Sequence, residues 1–237
     1  MRVALLVLIL FLGGCASAQQ RQAAAPTGEV ARQLRVAAAA ERGGQLDVAL
    51  QIYDTLASAN PTSPEVAVRR ATLLTRLGQP EAALNAVQAA RRRHPANAVV
   101  LQAEGRALLE LGRAEEALAL FEAHLRTAPG NVASLNGRGV ALDLLGRHQE
   151  AHATYRAGRS ADPRDALLLG NFALSLVLAG CPNEAVALLD VAPRNAETVG
   201  WIDEIRGLAR DIAGPGDDVP VALRTALPRS LEGCVVA

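Results

Sequence analysis

The chain has 237 residues, of which half are hydrophobic and 3% are aromatic, and its formal net charge at pH 7 is zero. This length allows one or two globular domains or one extended array. The charge balance argues against nucleic acid as a partner, because no net charge attracts the chain to a polyanion. Abundant alanine and leucine favour helices, since both residues lose little side-chain entropy there.

Residues 1–14 have the features of a signal peptide. Arg2 supplies one positive charge, and residues 3–12 form an unbroken apolar run. A helix of ten residues reaches only about 15 Å, half of a roughly 30 Å hydrocarbon core, so this run is too short to span a membrane. It ends in Leu12-Gly13-Gly14-Cys15, which resembles the lipobox at which lipoproteins are cleaved and acylated.

The lipobox resemblance implies cleavage before Cys15 and acylation of its sulfur and new amino group, with palmitate as one acyl chain. Two or three acyl chains anchor a protein stably. Ala16 stands where many lipoproteins retained at the inner membrane carry aspartate, so we expect an outer-membrane location facing the periplasm. An ordinary signal peptide with a chance cysteine is the alternative. Residues 15–28 are polar, small and unpatterned, which predicts a flexible tether.

Three residue types then recur with a period of 34 residues and no insertion. They are the prolines Pro61, Pro95, Pro129 and Pro163, the glycines Gly44, Gly78, Gly112, Gly146 and Gly180, and the alanines Ala49, Ala83, Ala117, Ala151 and Ala185. This spacing resembles the tetratricopeptide repeat (TPR), a pair of antiparallel helices A and B. The resemblance implies an all-α solenoid of five helix-turn-helix repeats over residues 29–199, beginning at Val30, Pro64, Ala98, Val132 and Ala166.

The recurring residues have local structural roles that support this fold. Gly112 suits the left-handed turn that ends a helix A, and Gly105 allows the partner helix to approach closely. Ser63, Asn97, Asn131 and Asp165 are suitable N-caps for the A helices. Residues 200–213 match a sixth helix A without a helix B, which predicts a C-terminal capping helix. Residues 214–237 are expected to form a tail of low order.

The chain carries no arrangement typical of catalysis, so we predict a protein that is not an enzyme and has no cofactor, metal or small-molecule substrate. His148 and His152 have a spacing that can place two metal ligands on one helix face, but no third ligand lies near them in register. Arg91, Arg92 and Arg93 end a helix B, where cations complement the helix dipole. A docking patch for an acidic partner is the alternative interpretation of these arginines.

Two cysteines remain if Cys15 is acylated. Cys181 lies in the turn between the helices of the fifth repeat, and Cys234 lies near the end of the tail. In an oxidising periplasm they form a possible disulfide that folds the tail over the C-terminal repeats. Two free thiols are the alternative.

The TPR register also predicts which side chains line the concave face. It places on that face Thr72, Thr75 and Arg76 in the second repeat, Gln102, Arg106 and Glu110 in the third, Asn136, Val140, Asp143 and Leu144 in the fourth, and Leu167, Leu174, Val177 and Leu178 in the fifth. The groove becomes apolar toward the C-terminus, so we predict a partner-binding groove at Val140, Leu144, Leu167, Leu174, Val177 and Leu178. It suits an amphipathic helix or hydrophobic segment of a partner, or the tail of this chain.

The whole layout, a signal peptide followed by a short TPR array, resembles the TadD-type lipoprotein of the tight-adherence (Flp) pilus assembly system. The most specific stretch is Asn171–Gly180, an asparagine-started apolar helix A that ends in Ala-Gly. The resemblance implies a scaffold, held at the membrane by its lipid anchor, for the secretin or other pilus components. Adaptors for envelope proteases, for peptidoglycan enzymes or for outer-membrane protein assembly are the alternatives.

Overall fold

The computed structural model describes residues 28–193 and 199–213, so Cys15, Cys234, the predicted signal peptide and the predicted tail lie outside the described residues. The described residues form eleven helices. They are α1 (Gly28–Arg42), α2 (Leu46–Ala59), α3 (Pro64–Arg76), α4 (Pro80–Arg93), α5 (Ala98–Glu110), α6 (Ala114–Leu125), α7 (Val132–Leu144), α8 (His148–Ala161), α9 (Ala166–Leu178), α10 (Pro182–Asp190) and α11 (Val199–Ala213).

The starts of the A helices are set by side-chain caps that recur with the repeat. The side chains of Ser63, Asn97, Asn131 and Asp165 each accept a hydrogen bond from a backbone N–H of the first helical turn that has no partner within the helix. Helices α3, α5, α7 and α9 therefore begin at the four positions that the 34-residue period predicts from the second repeat onward. Helix α1 begins at Gly28, the last residue of the predicted tether.

The turns between helices A and B depend on glycine. Gly44, Gly78, Gly112, Gly146 and Gly180 all have φ between 69° and 79°, a left-handed conformation that side chains with a Cβ rarely adopt. Each turn reverses the chain in three residues, so that helix B packs back against its own helix A. The predicted helix-turn-helix pairs are thus confirmed.

The helices stack in chain order, and the A helices also contact one another. Each helix from α1 to α11 packs against the next, while α3, α5, α7, α9 and α11 form a second series of neighbours. Helix α11 packs against both α9 and α10 as a sixth helix A, and the indole of Trp201 lies against Gly170. Among the described residues, no helix combines the length and the apolar character needed to cross a membrane.

The buried core divides into two clusters. A small one holds the first repeat together around Tyr53 and Leu34, and a long one runs from α3 through the buried residues of α11, among them Ile202 and Ile205. Both clusters contain residues of neighbouring repeats, as expected for an array whose units cannot fold alone. The fifth repeat has a shortened helix B, because α10 has 9 residues whereas α2, α4, α6 and α8 have 12 to 14.

Candidate partner-binding groove

A groove of about 420 Å³ runs across the A helices α3, α5, α7 and α9. Its apolar lining includes Val99, Val140 and Leu167, and its polar lining includes Thr72, Gln102 and Asn136. The volume lies in the range of roughly 300–1,000 Å³ that is usual for ligand sites. A groove shared by four repeats exists only when the repeats are stacked, so the fold itself creates this candidate site.

The floor of the groove is the ring of Phe121, which packs between two glycines on neighbouring helices. A Cβ built on Gly105 would lie 2.1 Å from the Phe121 Cζ atom, and one built on Gly137 would lie 2.3 Å from the same atom. Real Cβ atoms do not approach other carbons so closely. The absence of both side chains therefore lets α6 place a phenyl ring directly beneath the groove, where it is 1% exposed.

Three carboxamide side chains stand in the polar part of the groove. The Asn171 Nδ2 atom donates a hydrogen bond to the Asn136 Oδ1 atom at 2.9 Å, which joins α9 to α7. The Gln102 Nε2 atom donates to the Ser134 Oγ atom at 3.2 Å, which joins α5 to α7. Asn136 is buried and the other two are half-buried, yet each side chain keeps hydrogen-bonding groups that these contacts do not use.

The two charged residues of the groove lie one turn apart on α5. Arg106 and Glu110 are both exposed lining residues. Within the described part of the chain, neither side chain forms an ion pair or a hydrogen bond with another residue. The groove therefore presents one uncompensated cation and one uncompensated anion at different points along the helix.

The structure divides the six residues predicted as the partner-binding groove into three groups. Val140 and Leu167 line the groove. Leu144 and Leu178 are 59% and 44% exposed but do not line it. Leu174 is half-buried against the core, and Val177 has no exposed surface.

The prediction for Val177 must therefore be corrected, because this residue is unavailable to a partner. It belongs to the same buried cluster as residues of α11, the helix that packs against α9. The groove also lies further toward the N-terminus than the apolar gradient predicted, with most of its lining on α3, α5 and α7.

Sequence reasoning missed eight of the residues that line the groove, among them Asn171, Gly137 and Phe121. Asn171 follows Asn136 by 35 residues, one more than the repeat period, so it was absent from the positions read by register. Gly137 and Phe121 could have been identified from the sequence. Phe121 is the aromatic residue of helix B in the third repeat, and glycines stand at positions 105 and 137 on the two A helices that flank it.

A second polar group, separate from the groove, ties the fourth repeat to the fifth. The Asp143 carboxylate accepts hydrogen bonds from the His148 Nδ1 atom at 2.9 Å, the Tyr155 hydroxyl at 3.0 Å and the Ser175 hydroxyl at 2.7 Å. Burial and the Asp143 carboxylate together raise the pKa of Tyr155, so its hydroxyl stays protonated and donates. Asp143 therefore has a structural role, and its carboxylate is not available to a partner on the concave face.

The two histidines considered as metal ligands are both occupied in other ways. His148 is bound to Asp143, while the ring of His152 lies 5.6 Å from that of Phe172 and is nine-tenths buried. Burial lowers the pKa of His152, which favours the neutral ring. No group of three metal-ligating side chains occurs among residues 28–193 and 199–213.

The arginines at the end of α4 are partly used within the fold. The Arg91 Nε atom lies 2.5 Å from the Glu104 Oε2 atom of α5, and Arg93 donates to the Pro61 carbonyl oxygen at 3.0 Å. Burial raises the pKa of Glu104, and the Arg91 guanidinium opposes that shift by favouring the ionised carboxylate. Two of the three arginines therefore join neighbouring repeats, which disfavours a docking patch at this edge.

Cys181 lies at the start of α10, is buried and is disulfide-bonded. It is the only cysteine within the described residues. Since Cys234 lies outside them, the pairing of Cys181 with Cys234 stays a prediction.

Comparisons with known proteins agree with this architecture. A family model described as tetratricopeptide repeat matches residues 68–132 and 103–166. No curated protein matches the chain in sequence.

Among solved structures, a thermophilic TPR protein of Thermus thermophilus is 21% identical with a TM-score of 0.67, over 76% of this chain and 98% of that one. A tetratricopeptide repeat protein of Parabacteroides merdae is 20% identical with a TM-score of 0.61, over 87% and 86%. MamA of Desulfovibrio magneticus is 15% identical with a TM-score of 0.53, over 82% and 100%. At these identities the likeness concerns the fold alone.

Proteins of this fold generally act as scaffolds that bind protein partners, and typically they are not enzymes. Residues 68–166 consist of tetratricopeptide repeats, and the described chain is a tetratricopeptide-repeat solenoid closed by a C-terminal helix.

Proposed function

We propose that this chain is a scaffold of the bacterial envelope that captures a segment of a partner protein in the groove across α3, α5, α7 and α9. The observation that supports this most directly is the groove itself, which is built jointly by four repeats and combines apolar and unpaired polar side chains. Exposed apolar side chains such as Leu167, at 43% exposure, are costly to hydrate and often mark interaction sites.

The proposal includes a lipid anchor at Cys15 that holds the scaffold at the outer membrane, facing the periplasm. It rests on the sequence Leu12-Gly13-Gly14-Cys15 and on Ala16 after it. Replacing Cys15 by Ser should leave an unprocessed precursor that incorporates no palmitate. Continued palmitate labelling of this variant would contradict the anchor.

We further propose that the partner belongs to a Flp-type pilus assembly system, with the secretin as the first candidate. Support comes from the resemblance of Asn171–Gly180 and of the overall layout to the TadD-type lipoprotein. Mass spectrometry of proteins cross-linked to the chain in the periplasm tests this step. Recovery of secretin or other pilus components supports it, whereas recovery of proteases, peptidoglycan enzymes or outer-membrane assembly factors alone replaces it with an adaptor role.

The location of the binding site is tested by two matched pairs of substitutions. Val140→Glu with Leu167→Glu places two charges inside the groove, and Leu144→Glu with Leu178→Glu places two charges on exposed positions outside it. We expect the first pair to abolish capture of the cross-linked partner and the second pair to leave it nearly unchanged, with circular dichroism showing that both stay helical. Loss of capture with the second pair only would move the site away from the groove.

Deleting residues 214–237 tests the alternative that the tail of this chain occupies the groove. If the tail is the occupant, its removal should raise partner capture, and Val140→Glu with Leu167→Glu should make the tail of the full chain more sensitive to proteases. If the deletion leaves partner capture unchanged, the tail does not compete with the partner for the groove.

A further inference from the structure

We infer that the C-terminal tail of this chain, residues 214–237, is seated on the turn between α9 and α10 (residues 179–181, named the fifth turn) and is held there by a disulfide between Cys181 and Cys234. The bond encloses the capping helix α11 in a covalent ring, so oxidation of the two thiols holds the C-terminal end of the array together. This inference concerns an edge of the array and not the concave groove. It takes from the proposed function only an oxidising compartment.

The first support is that the fifth turn is covered, whereas the same turn is open in the other repeats. Ala179 and Cys181 are 0% and 2% exposed, and Gly180 is half-buried. The glycines that share the left-handed conformation of Gly180 in the earlier turns are all exposed, namely Gly44, Gly78, Gly112 and Gly146. The residues that correspond to Cys181 are exposed as well, namely Gln45, Gln79, Arg113 and Arg147. Something therefore covers the fifth turn that the other turns lack.

The next helix A does not supply this cover. Helix α9 packs against α7 and α8 in the same way as α11 packs against α9 and α10. The turn between α7 and α8 nevertheless remains open, with Gly146 and Arg147 exposed. The cover of the fifth turn therefore comes from a part of the chain outside the described residues.

The second support is the bonded state of Cys181. Its sulfur forms a disulfide, and the other two cysteines of the sequence are Cys15 and Cys234. Cys15 precedes α1, which lies at the opposite end of the stack from α10, and its sulfur carries the lipid in the proposed function. Cys234 follows α11, which packs directly against α10. Cys234 is therefore the partner that this inference assigns.

The course of α11 brings the tail to the fifth turn. As a sixth helix A, α11 ends at the edge of the array that carries the turns between helices A and B, so Ala213 lies at the same edge as Cys181. Twenty residues separate Ala213 from Cys234, and they can extend to roughly 70 Å at about 3.3 Å per residue. The tail is thus long enough to fold back over the turn without pulling α11 away from α9.

Formation of the bond removes two protons and two electrons from the Cys181 and Cys234 thiols. A disulfide of the thiol-oxidoreductase class in the same compartment accepts them and leaves as a dithiol. The closed ring contains α10, which has only 9 residues, and α11, after which no helix B follows within the described chain. Because a disulfide acts mainly by restricting the unfolded chain, its stabilising effect falls on the helices inside the ring.

The effect on α11 is measured in the full chain in detergent micelles, with Trp201 as the reporter. Trp201 is the only tryptophan, and its ring lies against Gly170, so its fluorescence follows the docking of α11 on α9. Circular dichroism follows all helices of the array. We expect reduction to lower the urea midpoint of the Trp201 fluorescence by roughly 1–2 M and that of the circular dichroism much less.

Two variants separate loss of the bond from other effects of a reducing agent. Cys234→Ser changes no residue of the described helices, and Cys181→Ala places a small apolar side chain at the buried position. Each variant should show the lowered Trp201 midpoint without reduction, and a reducing agent should then have no further effect on it.

Ala179→Leu tests the seat of the tail separately from the bond. Leucine stands at the corresponding place in three earlier repeats and is half-buried there, so the turn itself accommodates this side chain at Leu77, Leu111 and Leu145. A tail seated on the fifth turn leaves no room for it. We expect Ala179→Leu to shift the equilibrium in glutathione buffers about ten-fold from disulfide toward dithiol. Leu145→Ala, the reverse change in the preceding turn, is the matched control and should leave this equilibrium unchanged.

Mass spectrometry without reduction should show a peptide pair that joins Cys181 to Cys234. A link to Cys15, a disulfide between two copies of the chain, or alkylation of both thiols without prior reduction would overturn the inference. So would a Trp201 midpoint that does not respond to reduction, or an Ala179→Leu variant with an unchanged disulfide equilibrium. Because the glutathione buffer replaces the compartment, these results are independent of palmitate labelling and of the groove substitutions, whose failure would remove the proposed function alone.

Discussion

Replacing Gly105 by alanine should destabilise the protein, although alanine is normally the better residue within a helix. Removing a glycine from a helix interior gains about 1 kcal/mol. Here the added Cβ atom would lie 2.1 Å from Cζ and 2.8 Å from both Cε atoms of Phe121, well inside the roughly 3.5–4.0 Å of favourable carbon contacts. Overpacking of this kind typically costs about 1–3 kcal/mol.

The upper part of that range applies because the ring of Phe121 is confined from both sides. The position of a Cβ on Gly137 is only 2.3 Å from the same Cζ atom, and the ring is 1% exposed. We therefore expect Gly105→Ala to lower the free energy of unfolding by about 1–2 kcal/mol after the gain in helix propensity is subtracted. Urea unfolding followed by circular dichroism measures this, with an unchanged m-value as the sign that the unfolding reaction is the same.

Gly207→Ala is the matched control for this experiment. Gly207 lies within α11, and among the described residues no atom outside the backbone of its own helix lies within 4 Å of the Cβ position. The same substitution should therefore stabilise the protein by up to about 1 kcal/mol at this site. In a Phe121→Leu background, where the two Cε atoms and Cζ are absent, Gly105→Ala should lose most of its cost, which a double-mutant cycle detects. If Gly105→Ala were as favourable as Gly207→Ala, the close packing of Phe121 would not limit stability and the argument would fail.

Asp143→Leu should cost about 1–3 kcal/mol because it leaves the buried hydroxyls of Tyr155 and Ser175 without their acceptor. Adding Tyr155→Phe and Ser175→Ala should restore most of the stability seen in urea unfolding, since the three residues then match Leu109, Phe121 and Ala141, which stand 34 positions earlier. No recovery in the triple variant would contradict this interpretation. Burial lowers the pKa of His152 in the folded protein below its ordinary value of 6.5, so as the pH falls the unfolded chain protonates this residue before the folded chain does. The stability contributed by the neutral His152 side chain is therefore fully present above about pH 6.5 and is lost as the pH falls toward the folded-state pKa. His152→Gln should therefore reduce the difference in urea midpoint between pH 7.5 and pH 5.5, and an unchanged difference would assign it to other groups.

The sequence by itself determined the repeat, the starts of helices α3, α5, α7 and α9, and the turns within the repeats. These features are local, because an N-cap such as Asn97 acts on the next few N–H groups and a left-handed turn at Gly112 involves three residues. Because the 34-residue period has no insertions, the same capping and turn residues recur from repeat to repeat. The eleven helices of the described chain are consequently the expected ones, and even the sixth helix A could be found from its register.

A hydrogen bond between two side chains of the same repeat could also have been predicted from the sequence, although the sequence analysis did not identify it. Tyrosine occupies the aromatic position of helix B in the first and fourth repeats, and an acidic residue stands 12 positions earlier in both. The structure joins Tyr53 to Glu41 and Tyr155 to Asp143 by hydrogen bonds. In the third repeat Phe121 needs no acceptor, and Leu109 stands in the corresponding place.

Only the tertiary structure decided which concave positions are open to a partner. Register places Val177 on the same face as Val140, but α11 packs against α9, and Val177 is completely buried in the cluster that includes residues of α11. The pairing of Asn136 with Asn171 likewise joins two helices at a spacing that the repeat does not predict. Periodicity states where a side chain stands on its own helix, whereas its accessibility depends on the helices that cover it. That is why the groove was found among the middle repeats rather than at the most apolar end of the sequence.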